Sequence, residues 1–531
     1  MMKPEKEVHN HSNDARDNSD APPILQKMYT GFFSLVKNNR LFVVVVILAF
    51  FLRLSLFISL SPVLLPDSDS YERSALALKQ GNNLWTCYPR TPVYPGFVAF
   101  VYSIFGDNNH RAVAGIQILI FGMINTLLIY LLGKRLTSSN ITASITAFLV
   151  NLDLFAIQFD LTILTESLSG FLLLLSTFLL IKSTDSTTYY LTALAGIITG
   201  LMCLVRPAFT PLLGLFFIFF VIVNLINRKQ VISWKKIATH VLIFLILAVL
   251  PCFIWLKGNH ARGKGFSFSP FMLNAGLTNH TGYFFERLPD KYASIRNPYI
   301  RNRNKRELVS GTYYRVKDKM FRAAQKNFDI KTERQFEKFI TGLNLQLIRE
   351  NPRAYLKTLG IAWRIMWRER TLIYMQPRNQ KDEIRNFAAL RKKIFWGFWF
   401  RYVEARFLLH PVVRILKFPV YLLGAVFLLI FTFRDKRAFY AAILIVFIVM
   451  GLSIMINALE LSENSRYRAP YQHLIIMTII AGYGLCFHWI YSFIMAKLAK
   501  TSSPGPPEKK KGTKKNQGKR ISKRKTRSAK R

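Results

Sequence analysis

The residues with chemistry to offer stand at the edges of long apolar stretches. Asp67, Asp69 and Glu72 follow Pro66, where the first apolar stretch ends, and Tyr71 and Arg90 lie in the same polar segment. Glu166 follows Leu164-Thr165, and Arg206 stands between Val205 and Pro207. Glu463, Arg466, Tyr467 and Arg468 come just before the last apolar stretch. A positioned carboxylate can take up a proton from a hydroxyl, and a guanidinium matches phosphate oxygens two at a time. Each residue also has an ordinary reading. Asp69 and Glu72 have the spacing of a capping box, which predicts a helix from Ser70 to Gly81 and gives Asp69 a structural role. Asp67 has no such role, and its default is a solvated loop carboxylate. An acid at Glu166 suits a helix N-terminus. Arg206 is either a phosphate ligand, since an unpaired charge at a membrane boundary is costly, or a snorkelling anchor. Arg466 and Arg468 have rim ion pairs with Glu460 or Glu463 as their bland reading, worth little. Arg53, inside the first apolar stretch, is expected to pair with Asp153, Asp160 or Glu166 as a structural element.

The elements that must hold these residues are membrane helices. Hydrophobic residues make up 51% of the 531, and they come in blocks rather than spread through several soluble cores. About 20 apolar residues cover the hydrocarbon layer as a helix, and lipid leaves the backbone no other satisfied form. Ten spans are expected, at 41–61, 111–132, 141–157, 163–181, 189–205, 208–226, 237–256, 411–433, 437–458 and 470–494. The fold class is therefore all-α integral membrane. Lys37 and Arg40, Lys134-Arg135, Lys182, Arg228-Lys229 with Lys235-Lys236, and Arg434 to Arg437 mark cytoplasmic loops by the positive-inside rule. Both termini are then cytoplasmic, in a multi-pass protein of the cell inner membrane.

That alternation puts three segments outside: 62–110, 257–410 and 459–469. The domain reading is a polar, mostly disordered N-terminus over 1–40, which does not look like a cleavable signal peptide. A transmembrane module follows over 41–256, with its outer loop at 62–110. A long periplasmic region covers 257–410, C-terminal spans 411–495 and a basic tail 496–531. In the first loop, a second short helix is expected after Pro92 and Pro95, running to Gly106 and carrying Phe97, Phe100, Val101 and Ile104 on its apolar side. In the long region, 355–368 and 394–402 are apolar but interrupted by charge, and read as interfacial helices; a hidden pair of spans there would leave the termini unchanged. The net charge of +44 could suggest nucleic acid, but its distribution argues against it: Lys509 to Arg531 hold 13 Lys or Arg and no acid. Such a block is a solvated tail, drawn to anionic lipids beside a membrane. The four cysteines have no metal spacing, and neither His260 nor His280 has ligand spacing.

Asp67-Ser68-x-x-Tyr71, then Ala75 and Gly81, then Arg90-Thr-Pro-x-Tyr-Pro95, resembles the first outer loop of GT-C glycosyltransferases. It is most similar to the bacterial family 39 branch, related to dolichyl-phosphate-mannose protein mannosyltransferases and lipid A aminoarabinose transferases. Leu164-Thr-Glu166, Leu204-Val-Arg206-Pro207 and Glu463-Asn-Ser-Arg466-Tyr467-Arg468-Ala-Pro470 also fit. The resemblance covers roughly 40–260 and 350–495. It implies a GT-C bundle that moves a sugar from a polyprenyl phosphate to an acceptor outside the cytoplasm, usually with inversion. A lipid phosphate is a good leaving group, so one carboxylate base suffices, unlike the two carboxyl groups of glycosidases. The resemblance assigns Asp67 as that base. Arg206, Arg466, Tyr467, Arg90 and Tyr71 then hold donor phosphate and sugar, and Asp69, Glu166 and Glu463 support or meet the acceptor. Aminoarabinose transferases keep a metal near the catalytic Asp, helped by acids in the turn before the second surface helix. Here that turn is Cys87-Tyr88-Pro89-Arg90, without a carboxylate, so no metal ligand is assigned and a divalent cation stays open. Acceptor and sugar also stay open: lipid, glycan and protein all qualify.

Three other classes compete, one of them a basic scaffold that recruits partners by its tail, for which Asp67 would be dispensable. A lipid-linked sugar flippase predicts mid-membrane polar residues and internal repeats, and no repeat is visible. An O-antigen polymerase or ligase would rest on a large outer loop without the Asp-Ser-x-x-Tyr pattern.

Overall fold

The computed structural model describes residues 39–184, 189–227, 234–263, 266, 268, 270–303, 312–367, 411–461 and 464–501. Glu463, the 394–402 segment, the first 38 residues and residues 502–531 of the basic tail lie outside them. Among the described residues every extended element is a helix, and the strand-like contact is a single parallel bridge between Val63 and Thr162. Two compact units divide the chain, Met1–Leu485 and Cys486–Arg531. The architecture below is that of the first.

The ten expected spans fall on helices. The first is α1 (Arg40–Ser59). Two short helices follow in the first loop, α2 (Pro66–Lys79) and α3 (Val93–Phe105). Then come α4 (His110–Thr137) and a pair bent by 53°, α5 (Asn140–Val150) with α6 (Leu154–Leu161). They are followed by α7 (Thr165–Ser183), α8 (Tyr189–Val205), α9 (Pro211–Asn227) and α10 (Trp234–Ala261). Among the described residues six helices are long and apolar enough to cross a membrane, or seven if the bent pair counts as one span. The other three expected spans coincide with the shorter apolar stretches Tyr189–Val205, Pro207–Val223 and Leu416–Thr432. This is the all-α, multi-pass membrane architecture that the apolar blocks require.

The long region carries helices that its polar sequence conceals: α11 (Pro270–Thr281), α12 (Ala293–Asn302), α13 (Thr312–Phe328), α14 (Glu333–Glu350) and α15 (Pro352–Trp367). The first four share an apolar core that includes Tyr299, Tyr313, Met320, Phe336 and Leu347. Thr332 caps α14 and exchanges hydrogen bonds with Gln335 in a capping box. Of the 355–368 segment, residues 355–367 are described and form most of α15. Its Ala362, Met366 and Trp367 are buried and its Lys357 and Arg364 exposed. Asn457 Nδ2 donates to Met366 Sδ at 3.0 Å. Last come α16 (Pro411–Thr432), α17 (Lys436–Leu459), the short α18 (Asn464–Arg468) and α19 (Gln472–Thr501).

Arg53 explains an irregularity in α4. The guanidinium is 1% exposed; it pairs with Asp160 at 2.8 Å and donates to Asn151 Oδ1 at 2.6 Å and to the Ile118 carbonyl. Of its three expected partners it takes Asp160 alone. Residues 116–121 of α4 widen into a π-helical turn beside it, and a Cβ at Gly122 would lie 2.1 Å from Arg53 Nη1. Wider turns of this kind expose a carbonyl to such a donor. Because the pair is held by further hydrogen bonds from Arg53 to Asn151 and Ile118 and from Ser167 to Asp160 inside the bundle, it fits a structural role.

Candidate active site

The first loop folds differently at one point from its sequence reading. Helix α2 begins at Pro66, not Ser70, and ends at Lys79. Proline is pre-organised for the first helical position, where its missing N–H costs nothing. Ser68, not Asp69, supplies the return bond: its Oγ accepts from the Leu65 N–H at 2.9 Å. Asp69 is therefore not the cap; it is exposed. The earlier start puts Asp67 within the first turn, where the helix dipole favours a carboxylate.

Helix α3 follows the expected course to Gly106, whose φ of 94° closes it. Its buried face is Tyr94, Val98, Val101 and Tyr102, while Phe100 and Ile104 are exposed. Helices α2 and α3 are clamped together at two places. Tyr102 Oη donates to Glu72 Oε1 at 2.6 Å, and the Tyr71 and Tyr94 rings meet edge to face with centroids 5.0 Å apart. Tyr94 Oη in turn lies 3.2 Å from Gln117 Oε1 on α4.

Around Asp67 five separate segments converge. Arg90 Nη2 donates to Asp67 Oδ1 at 2.7 Å, and its Nε donates to Ser70 Oγ at 2.8 Å. The Arg90 guanidinium lies over the Tyr71 ring, 4.7 Å from the centroid. Arg466 Nη1, from α18, donates to Asp67 Oδ2 at 2.9 Å. Arg466 Nε donates to Glu166 Oε1 at the start of α7. Arg206 Nη1 lies 2.9 Å from the same Glu166 oxygen as an ion pair without an aligned hydrogen bond, and its guanidinium rests on the Tyr467 ring at 4.2 Å. Thr91 Oγ1 reaches the Val205 carbonyl at 3.4 Å, tying the Arg90 turn to the Arg206 corner. The result is an alternating chain of charges, Arg90–Asp67–Arg466–Glu166–Arg206.

Burial grades along this chain. The Glu166 side chain is 0% exposed, those of Arg206 and Arg466 8%, and that of Asp67 34%. Asp67 is thus the carboxylate that a molecule arriving from solvent can touch. Burial alone would raise its pKa, but the guanidiniums of Arg466 and Arg90 outweigh burial and hold the carboxyl well below the usual carboxylate range. It is ionised at neutral pH. Burial also raises the Tyr71 phenol, which stays protonated.

Of the residues singled out from sequence, Asp67, Tyr71, Arg90, Glu166, Arg206, Arg466 and Tyr467 come together here. Glu166 is more than a terminal acid, since it bridges two guanidiniums, and Arg466 pairs with Asp67 and Glu166 rather than Glu460. Arg468 is buried over the Phe155 ring at 4.7 Å. Sequence reasoning misses Ser70, which orients Arg90, and Tyr94, which supports Tyr71; Tyr94 is legible as the tyrosine of Arg-Thr-Pro-x-Tyr-Pro. The donor set does not suit a divalent cation. Both Asp67 oxygens face guanidiniums, Glu166 lies between Arg206 and the Arg466 that it shares with Asp67, and no group of three His, Cys, Asp or Glu side chains among the described residues could hold a metal.

With this geometry in view, comparison with known proteins gives a family-model match over part of the chain and a set of distant structures. The structures include the apo oligosaccharyltransferase of Archaeoglobus fulgidus, at 14% identity and TM-score 0.46 over 86% of this chain and 52% of that one. The oligosaccharyltransferase AglB of that organism, in complex with an inhibitory peptide and a dolichol-phosphate, matches at 13% identity and TM-score 0.45 over 89% and 53%. ArnT from Cupriavidus metallidurans bound to undecaprenyl phosphate matches at 15% identity and TM-score 0.34 over 89% and 82%. The chain spans about half the length of the oligosaccharyltransferases. No curated protein matches in sequence. Residues 89–255, which carry Arg90, Glu166 and Arg206, match the model of the dolichyl-phosphate-mannose-protein mannosyltransferase family, so the glycosyltransferase resemblance read from the first loop holds over that stretch.

Proposed function

We propose that this protein transfers a sugar from a polyprenyl-phosphate donor to a hydroxyl on a lipid, glycan or protein acceptor, with inversion, at the outer face of the inner membrane. The observation that carries this reading is the chain Arg90–Asp67–Arg466–Glu166–Arg206, in which one accessible carboxylate is paired with guanidiniums from the first loop and α18, and Glu166 holds the α18 guanidinium together with that of the α8 end. The matched family's name supports the donor class. In this scheme the donor phosphate enters as a competing anion for Arg466 and Arg90 and frees an Asp67 oxygen. The acceptor oxygen attacks the anomeric carbon from the face opposite the phosphate. The new carbon–oxygen bond forms as the bond to phosphate breaks, the phosphate leaves with the bonding electrons, and Asp67 accepts the acceptor's proton. Guanidiniums aimed at the leaving phosphate stabilise its developing charge. Glu166 keeps Arg466 and Arg206 in place, and Tyr467 holds the Arg206 plane. Under the same reading both termini are cytoplasmic, 257–410 is the periplasmic region that meets the acceptor, and the basic tail lies on anionic lipid.

The test uses full-length protein in liposomes, a labelled polyprenyl-phosphate sugar and the three acceptor classes. Asp67→Asn should lower transfer about 100-fold or more, while Asp69→Asn, exposed and outside the charge chain, should transfer at the wild-type rate. Equal rates for Asp67→Asn and wild type would sink the mechanism.

A further inference from the structure

A cavity of about 510 Å³ opens between α4, α7 and the start of α17. It lies at the opposite end of the bundle from Asp67. Helix α7 begins at Thr165 next to the charge chain and lines this cavity with Ile181 and Lys182, roughly 24 Å away at 1.5 Å per residue. Four cations line it: Lys134, Arg135, Lys182 and Arg437. They come from three separate loops of the sequence, where each cluster reads only as a marker of sidedness. The fold gathers them in one recess.

These charges have an ordinary use, since Lys134 and Arg135 lie in the last turn of α4 and Lys182 in the last turn of α7. A helix C-terminus carries about half a negative charge, so two of them offset about one of the four positive charges. Asp435, the carboxylate among the described lining residues, serves as the cap of α17: its Oδ1 accepts from the backbone N–H groups of Arg437 and Ala438. Among the described residues that line it, the recess therefore carries more positive than negative charge. Apart from Ser138, its remaining wall is apolar, made by Leu131, Leu132, Phe178 and Ile181. A free inorganic anion would leave that wall without a partner, whereas an amphiphile satisfies both halves.

We infer that this cavity binds the phosphate headgroup of an anionic glycerophospholipid, with the first carbons of its acyl chain against Leu131 and Phe178. The site is separate from the sugar-transfer site and does not depend on that reaction. It holds a lipid of the leaflet at this end of the bundle and braces α4, α7 and α17, the helices whose other ends lead to Gln117, Glu166 and α18.

The experiment takes detergent-purified full-length protein. It counts bound phosphatidylglycerol and phosphatidylcholine by native mass spectrometry, and follows melting with each lipid and with inorganic phosphate. Two double variants are compared, Lys134→Gln with Arg135→Gln and Lys182→Gln with Arg437→Gln. All proteins keep the basic tail, so binding there is common to them. Wild type should prefer phosphatidylglycerol, and each cation removed should weaken its retention about fivefold. Inorganic phosphate should raise the melting temperature less than phosphatidylglycerol does. If both variants retain phosphatidylglycerol like wild type, or if inorganic phosphate stabilises as much as the lipid, the assignment is overturned. The second variant alters only exposed side chains, so the test survives misfolding of the first.

Discussion

Arg466 meets Asp67 across 399 positions of sequence, and with the same guanidinium it holds Glu166. One side chain thereby ties the first loop and the α7 start to the segment before the last helix. It does so by using its Nε and Nη1 edges toward different carboxylates. A lysine ammonium is a point charge on a flexible stem and cannot reproduce two fixed directions. Losing one charge-assisted hydrogen bond costs about 1.5–3 kcal/mol, so Arg466→Lys should lower transfer roughly 10- to 100-fold. Steady-state rates with varied donor would check this; wild-type kinetics in the lysine variant would mean that the bridging geometry is idle.

Glu166 should behave as a keystone for stability as well as for rate. It is fully buried between Arg206 and Arg466. Removing one partner of a buried pair leaves an uncompensated charge, at a cost of about 3–5 kcal/mol. Glu166→Gln should therefore melt several degrees lower than wild type and lose transfer. Asp67→Asn, at a more exposed position, should lose transfer with a smaller change in melting. Comparing the two melting curves separates a residue that holds the site from one that reacts there.

The acid limb of the rate profile should report Asp67. Its folded pKa lies below the ordinary carboxylate value because Arg466 and Arg90 overcome the effect of burial. The folded state then binds fewer protons than the unfolded one. This group's contribution to stability is full above the unfolded value of about 4 and is lost as the pH falls below it toward the folded value. Activity should accordingly persist to pH about 4. Arg90→Gln removes one of the two attracting charges, so its acid limb should move to higher pH whatever its maximal rate. Normalised rates between acidic and neutral pH would decide; an unmoved limb would mean another group governs it.

The membrane helices and most of the site are legible because both leave local signals. Apolar blocks mark spans, and Asp67, Tyr71, Arg90 and Tyr94 sit within one short motif. What cannot be read is pairing. Nothing local says that Arg466 reaches Asp67 or that Arg53 selects Asp160, since those choices depend on how distant helices pack. The α2 start is masked because Asp69 and Glu72 mimic a capping box while Pro66 and Ser68 do the work. The α11–α14 core stays hidden because its buried residues, such as Tyr299, Tyr313 and Phe336, are scattered among Lys and Arg and form no continuous apolar run.

That hidden core bears on the site through a glycine. Helix α11 packs so closely on the end of α17 that a Cβ at Gly276 would lie 2.1 Å from the Leu459 carbonyl oxygen and 3.0 Å from Glu460 Oε2. Nearby, Asn279 Nδ2 donates to Glu460 Oε1 at 3.2 Å, and Tyr355 Oη donates to the Ala458 carbonyl. This contact fixes the stretch just before α18, which carries Arg466. A backbone oxygen cannot rotate away as a side chain can, so Gly276→Ala must push α11 off α17, with an overpacking cost of about 1–3 kcal/mol. A methyl group added at Gly342 in α14 would meet nothing within 4 Å, and in a helix interior alanine is favoured over glycine by about 1 kcal/mol. Gly276→Ala should therefore lower both the melting temperature and transfer, while Gly342→Ala should match or exceed wild-type stability at full activity. Melting and transfer measured side by side test this, and unchanged transfer in a destabilised Gly276→Ala protein would show that the long region does not set the position of Arg466.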